Sequence, residues 1–253
     1  MSDVQPGTFV AAQGGSFRYV EKSNPHTSNL QWLSYGVYEL HGSAHSGLLA
    51  HPAEEALLFC RKGPARVTLQ GKDYALATYD VLYIPRGAQY ELSQDAGDSA
   101  VIICRALAEH THPPFYARWS EFSRDERRIR HLKGKDVFLM FDVTEAADKL
   151  VAGYTFYEAQ TRAWPPHNHT DQEETYIFIK GHGSMEVYET PEAMTFVHNV
   201  REGDLVTIPF LNYHPVFSQE DPLEFIWCIA GERYWVGDKN KDFMAGKGDS
   251  ITT

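Results

Sequence analysis

The stretch EETYIFIKGHGSMEVYETPEAMTFVHNVREGDLVTIPFLNYHPVF, residues 173–217, reads as a succession of short β-strands. Its apolar and alternating runs are cut by Gly, Pro, Asn and Asp, residues whose backbone preferences make turns. Residues 54–92, EEALLFCRKGPARVTLQGKDYALATYDVLYIPRGAQYEL, follow the same plan. There the apolar strand ends in Arg-Lys-Gly where the later copy has Lys-Gly, and YDVLYIP (79–85) stands where the later copy has GDLVTIP (203–209). The copies start roughly 120 residues apart, so the repeating unit is a whole barrel and not a single strand pair. The repeat predicts an all-β chain of two similar tandem barrels, the first over 1–120 and the second over 121–253. The connecting segment, about 107–150 and including HTHPPFYARWSEFSRDERR (110–128), is expected to pack across the first barrel, with one short helix at TEAADKL (144–150).

Composition narrows the function. At 253 residues and 43% apolar, the chain can bury a sizeable core. No uncharged apolar run of about 18 residues is present, and MSDVQPGTFVAAQGG lacks the basic and apolar regions of a signal peptide. A cytoplasmic protein without membrane attachment is expected. With a formal net charge of -11 and no basic stripe apart from RDERRIRHLKGK (124–135), nucleic acid is a poor partner. A small anionic substrate stays open, because the field in a pocket depends on a few local cations. Cys60, Cys104 and Cys228 all fall in apolar runs and read as buried thiols without a chemical role.

One constellation carries chemistry. WPPHNHTDQEETYIFIKG (164–181) contains His167 and His169 two residues apart, with Glu174 opening the next strand; His214 arrives in PFLNYHPVF (209–217). Three imidazoles and a carboxylate inside a small barrel suit one divalent transition metal, zinc or manganese foremost, with iron, cobalt or nickel also compatible. The HTH at 110–112 has the same spacing but no acidic partner five residues on, so His110 and His112 read as connector residues. Period-2 alternation from Glu174 points Tyr176 and Lys180 toward the same interior, as a proton carrier and a carboxylate contact. Arg162 and Arg233, flanking the barrel strands, are further candidates for binding a substrate carboxylate, for which a planar guanidinium is a good match.

His167, His169, Glu174 and Gly181, followed by Gly203, Pro209 and His214, resemble the two motifs of the cupin superfamily, which implies double-stranded β-helix barrels. Two positions depart from that pattern: Thr161 and Leu211 stand where the motifs have glycine. Aligning Gly63 with Gly181 and Pro85 with Pro209 puts Ala56 at the glutamate position, Tyr90 at the last histidine, and Leu49 with His51 at the paired histidines. The first barrel is therefore expected to have lost its metal ligands.

Over 124–238, RRIRHL, WPPHNH, LNYHPVF and EFIWCIAGE are similar to the bicupin sugar-acid isomerases, the 5-deoxy-glucuronate and 5-keto-4-deoxyuronate isomerase group. The resemblance implies a metal-dependent aldose-ketose isomerase acting on a uronate-like sugar acid, assembled as a homo-oligomer. A metal-dependent dioxygenase and a non-catalytic sugar-binding bicupin are the alternatives.

Overall fold

In the computed structural model of the chain, the described residues are 9–12, 15–162, 166–190 and 192–235. Among these the chain forms two compact units: one gathers described residues up to 28, with 32–122 and 145–150, the other 29–31, 123–144 and the described residues from 151 on.

Each unit is built from two antiparallel sheets. In the first, one sheet runs Phe9–Ala12, Gly15–Ser23, Ser34–Gly42, Asp98–Leu107, Glu54–Lys62, Val81–Ile84, Phe115–Ala117 in hydrogen-bonded order. The facing sheet runs Ala44–His45, Gln89–Gln94, Ala65–Leu69, Lys72–Leu76, with Leu49–Ala50 also pairing to Gln89–Gln94. The second unit repeats the arrangement. Its larger sheet runs Ile129–Leu132, Lys135–Phe141, Leu150–Tyr157, Leu223–Gly231, Gln172–Lys180, Leu205–Ile208, and its smaller one Ala193–Arg201, His182–Thr190, Val216–Ser218. These are jelly-roll barrels, as the repeat predicts.

The register shows how closely the copies correspond. Ala56 pairs with Ile84 in the first unit and Glu174 with Ile208 in the second, each just ahead of the proline that closes its motif. Between the sheets lie separate cores. Leu40, Leu58, Val67, Leu82, Leu92 and Ile103 fill one; Leu139, Phe178, Met185, Val216, Phe225 and Trp227 fill the other. Gly181 turns the chain with φ +84, and a Cβ there would lie 2.0 Å from the Pro222 carbonyl oxygen, so only glycine fits.

The connector differs from its reading in one place. TEAADKL contains no helix; it approaches the Leu150–Tyr157 strand in turns and bends. The cause is remote in sequence. Fully buried Glu55 accepts the backbone N–H groups of Asp148 (2.9 Å), Lys149 (2.7 Å) and Leu150 (3.0 Å), and the Tyr83 hydroxyl donates to it at 2.7 Å. Three N–H groups aimed at one carboxylate cannot also serve a helical ladder. Asp148 in turn accepts the N–H of His110 at 2.7 Å and lies 2.7 Å from His112 Nε2, which accounts for both connector histidines. In the second unit Glu173, in the same strand position as Glu55, accepts the Gln31 N–H at 2.6 Å. The short helix that does form, Trp119–Phe122, lies elsewhere in the connector.

Candidate metal centre

Glu174 sits in a strand buried along nearly its whole length, with Ile208 and Ile229 as its cross-strand neighbours. The two histidines of HNH lie in an extended loop and not on a strand, and backbone bonds fix that loop. The Leu211 N–H donates to the His169 carbonyl at 2.7 Å, and the His214 N–H to the His167 carbonyl at 3.3 Å. Leu211 adopts φ +65, the left-handed conformation that the motif's usual glycine takes freely. The turn is thus retained with leucine at some local cost, and it delivers His214 beside the HNH loop.

The four side chains meet in the barrel interior. One donor atom from each of His167, His169, Glu174 and His214 lies within 4.8 Å of all the others, and among the described residues no other group of His, Cys, Asp or Glu converges in this way. Glu174 Oε2 is 3.3 Å from His169 Nε2 and 2.9 Å from His214 Nε2. These contacts lack hydrogen-bond geometry: both His169 ring nitrogens, Glu174 Oε2 and His214 Nε2 are buried without a hydrogen-bond partner. Buried polar atoms are ordinarily paired, so a cluster of unpaired electron-pair donors fits a cation. His214 Nδ1 donates to the Asn212 carbonyl at 2.8 Å, which leaves Nε2 as the lone-pair nitrogen facing the cluster.

The electrostatics agree. Burial, reinforced by the neighbouring His214 and His169 rings and by the Lys135 charge, holds His167 well below the ordinary imidazole value, in the neutral form a metal needs. Burial alone would raise the Glu174 carboxyl, but its contacts with His169 and His214 outweigh that and keep it below its usual value. The Tyr176 phenol is pushed well above its ordinary value, first by burial and then by the Glu174 charge, so it is a proton holder and not a phenolate.

The cluster opens into a cavity of about 540 Å³, part of it solvent-exposed, lined also by Lys135, Thr155, Tyr157, Tyr176, Trp227 and Trp235. Tyr176 is placed there as alternation predicts, its ring 5.7 Å from that of His214. Lys180 is not. A β-bulge between Phe178 and Lys180 shifts the register, so Lys180 pairs with Glu224 on the opposite face and bonds its carboxylate at 2.9 Å. Its side chain is 67% exposed. An extra residue in one strand inverts every later side chain, and alternation read from sequence cannot show it.

Neither arginine lines the cavity. Arg162 bonds Glu186 at 2.7 Å and borders a separate surface depression with Gln160, Phe217 and Gln219. Arg233 donates to the Asp142 carbonyl at 2.6 Å and lies over the Phe141 ring. Both occupy structural pairings that strand-flanking position alone does not reveal. Trp164, from the motif's first residues, lies outside the described residues. Sequence reasoning missed Lys135, although its alternation with Val137 and Leu139, both in the core cluster, was a usable signal. It also missed Tyr157 and Trp227, whose indole N–H donates to Thr155 at 3.1 Å.

Comparison with known proteins places this architecture. A 4-deoxy-L-threo-5-hexosulose-uronate ketol-isomerase of Opitutus terrae is 23% identical over 196 residues, covering 72% of this chain and 68% of that protein. An IolB-like protein from Salmonella typhimurium superposes with a TM-score of 0.71 at 16% identity, over 85% of this chain and 89% of the other. Oxalate decarboxylase from Bacillus subtilis gives 0.69 at 17%, over 90% and 75%. These structural likenesses carry the fold, a pair of cupin barrels. The model of the KduI/IolB family matches residues 8–245, and the chain belongs to that family.

Proposed function

We propose that the protein is a metal-dependent aldose-ketose isomerase of a uronate-like sugar acid, with its reaction centre in the second barrel. The observation that carries the reading is the convergence of His167, His169, Glu174 and His214, with donor atoms of the last three buried and unpaired, beside a neutral phenol in a largely apolar cavity. The Opitutus terrae relative's activity gives the substrate class.

Such an isomerisation moves one proton from a carbon to its carbonyl neighbour and one from the hydroxyl to the former carbonyl oxygen, with no redox partner. The chemical obstacle is the negative charge that develops on oxygen between the two transfers. A divalent ion held by the quartet, zinc or manganese being the best match to these ligands, supplies Lewis-acid stabilisation of that charge. Tyr176 Oη carries a proton at the cavity wall, where it donates to a substrate oxygen. Trp227, Phe225 and Ile229 form apolar walls that keep bulk water from the reacting carbons. Asn212 holds the His214 ring in the ligating tautomer. We place the enzyme in the cytoplasm as a homo-oligomer, in keeping with its composition and family.

Incubating the metal-loaded protein with 4-deoxy-L-threo-5-hexosulose uronate in deuterated water tests this. The expected result is anaerobic conversion, with deuterium at the carbon beside the carbonyl unless transfer is wholly internal, abolished by chelation and restored by zinc or manganese. Absence of product across a panel of uronates, with oxygen consumed on an enol substrate, would replace the isomerase with a dioxygenase.

A further inference from the structure

The quartet accounts for the reacting end of a sugar acid but leaves its carboxylate without a partner. In a hexuronate that group is at the far end of the chain from the aldehyde. Arg162 and Arg233 are engaged with Glu186 and Asp142, and Lys180 faces away on the outer side of its sheet. Among the described residues lining the cavity, Lys135 is the one lysine or arginine.

Its position is set by the fold. The Gly134 turn, φ +68, closes the hairpin between the Ile129–Leu132 and Lys135–Phe141 strands. Lys135 therefore begins its strand on the same face as Val137 and Leu139, which lie in the barrel core. Directly across the sheet is Tyr157, and the Lys135 ammonium lies 5.4 Å from the centre of that ring. Tyr157 is buried and packed against Phe225 at 5.6 Å, so the surface under the lysine stem is rigid. The ammonium is thus held by a cation–π contact at the wall of a chamber whose other polar groups are chiefly the ligand quartet, Thr155 and two phenols.

We propose that Lys135 binds the carboxylate of the substrate and selects sugar acids over uncharged sugars. The inference rests on the isomerase reading for its substrate class, but it concerns recognition and not the proton transfers. Among the described residues lining the cavity, the one carboxylate, Glu174, is turned into the histidine cluster. Lys135 then gives the remainder of the chamber a net positive character, and its charge is felt at His167. Burial lowers its own basicity to about 8, the mark of an ammonium short of water, which an incoming anion would relieve. A compact ammonium on a flexible stem also suits one end of a small ligand better than a rigid guanidinium fork would in this space.

The test is calorimetric binding to the metal-loaded full-length protein, with D-glucuronate against the uncharged D-glucuronamide, for wild type, Lys135→Met and Lys135→Arg. Wild type is expected to prefer the acid. Lys135→Met should weaken glucuronate by about 30-fold or more, leave glucuronamide nearly unchanged, and keep its metal content. Lys135→Arg should recover part of the preference. With the hexosulose uronate as substrate, Lys135→Met should raise KM while kcat stays within about fivefold. A preference for the acid that survives in Lys135→Met, or a collapse of kcat at constant KM, overturns the proposal. The two readings can fail separately. Lys135-dependent glucuronate binding without uronate turnover would sink the isomerase and keep the anchor; turnover with acid preference intact in Lys135→Met would do the reverse.

Discussion

The two barrels place the same strand positions around their interiors and fill them with opposite chemistry. In the second, Glu174 pairs across the sheet with Ile229, and three of the four ligand side chains, His169, Glu174 and His214, are left with unpaired donor atoms. In the first, Ala56 occupies the glutamate position and pairs with Arg105, so a guanidinium enters where the other barrel has Ile229. Arg105 Nη1 lies 3.1 Å from His51 Nδ1 and 2.8 Å from Glu54, and its Nη2 lies 3.2 Å from the Tyr19 hydroxyl and 3.3 Å from Glu21. Tyr90, at the last histidine position, bonds His51 Nε2 at 2.9 Å and the Tyr38 hydroxyl at 2.8 Å. The first barrel thus carries a permanent side-chain cation where we place an exchangeable ion in the second. The Arg105 network, in which Nε alone lacks a partner, specifies and rigidifies; the second barrel's cluster, with unpaired atoms on three ligands, waits for one. From this we infer that the first barrel serves structure and the second serves chemistry.

The sharpest way to break that contrast is to remove the charged ligand. Glu174→Gln should lower kcat by about a thousandfold or more, since the metal's stabilisation of developing charge amounts to several kcal/mol. Turnover within tenfold of wild type would detach the quartet from the reaction.

In the first barrel the expected effects are on stability. Glu55→Gln should destabilise by about 2–3 kcal/mol, because a charged acceptor of three backbone N–H groups is lost. Its turnover per folded molecule should hold, and chemical denaturation with steady-state kinetics checks both.

His51 allows a finer test. Burial, with the Arg105 charge, lowers its basicity to about 3, well under the ordinary value near 6.5. A group whose folded value is depressed contributes stability above its unfolded value and loses it as pH falls. Metal-free wild type should therefore lose about 2–3 kcal/mol more than His51→Gln between pH 7 and 4.5. Equal losses would mean that His51 is protonated within the fold. The smallest effect is expected at Lys180. Lys180→Met should leave turnover within about twofold and cost about 1–2 kcal/mol, because the lysine is exposed but the Glu224 carboxylate it pairs with is buried.

How far the sequence carried the description depends on which interactions are local. Motif spacing alone singled out His167, His169, Glu174 and His214, and the paired YDVLYIP and GDLVTIP segments revealed the repeat, because strand order and turn residues are written locally. Lys180 was misread because one bulge inverts the alternation. TEAADKL was misread because Glu55, about ninety residues earlier, captures its N–H groups before a helix can use them. Arg105 escaped notice because its role follows from which strand lies beside it, and periodicity within AVIICRAL says nothing of neighbours.

The most direct measurement is elemental analysis of the purified chain beside two variants, His169→Ala/His214→Ala and His51→Ala. The expected result is one transition-metal ion per chain in wild type and in His51→Ala, and almost none in the double variant. Two ions per chain, or a content undiminished by losing both histidines, would contradict the division of labour between the barrels.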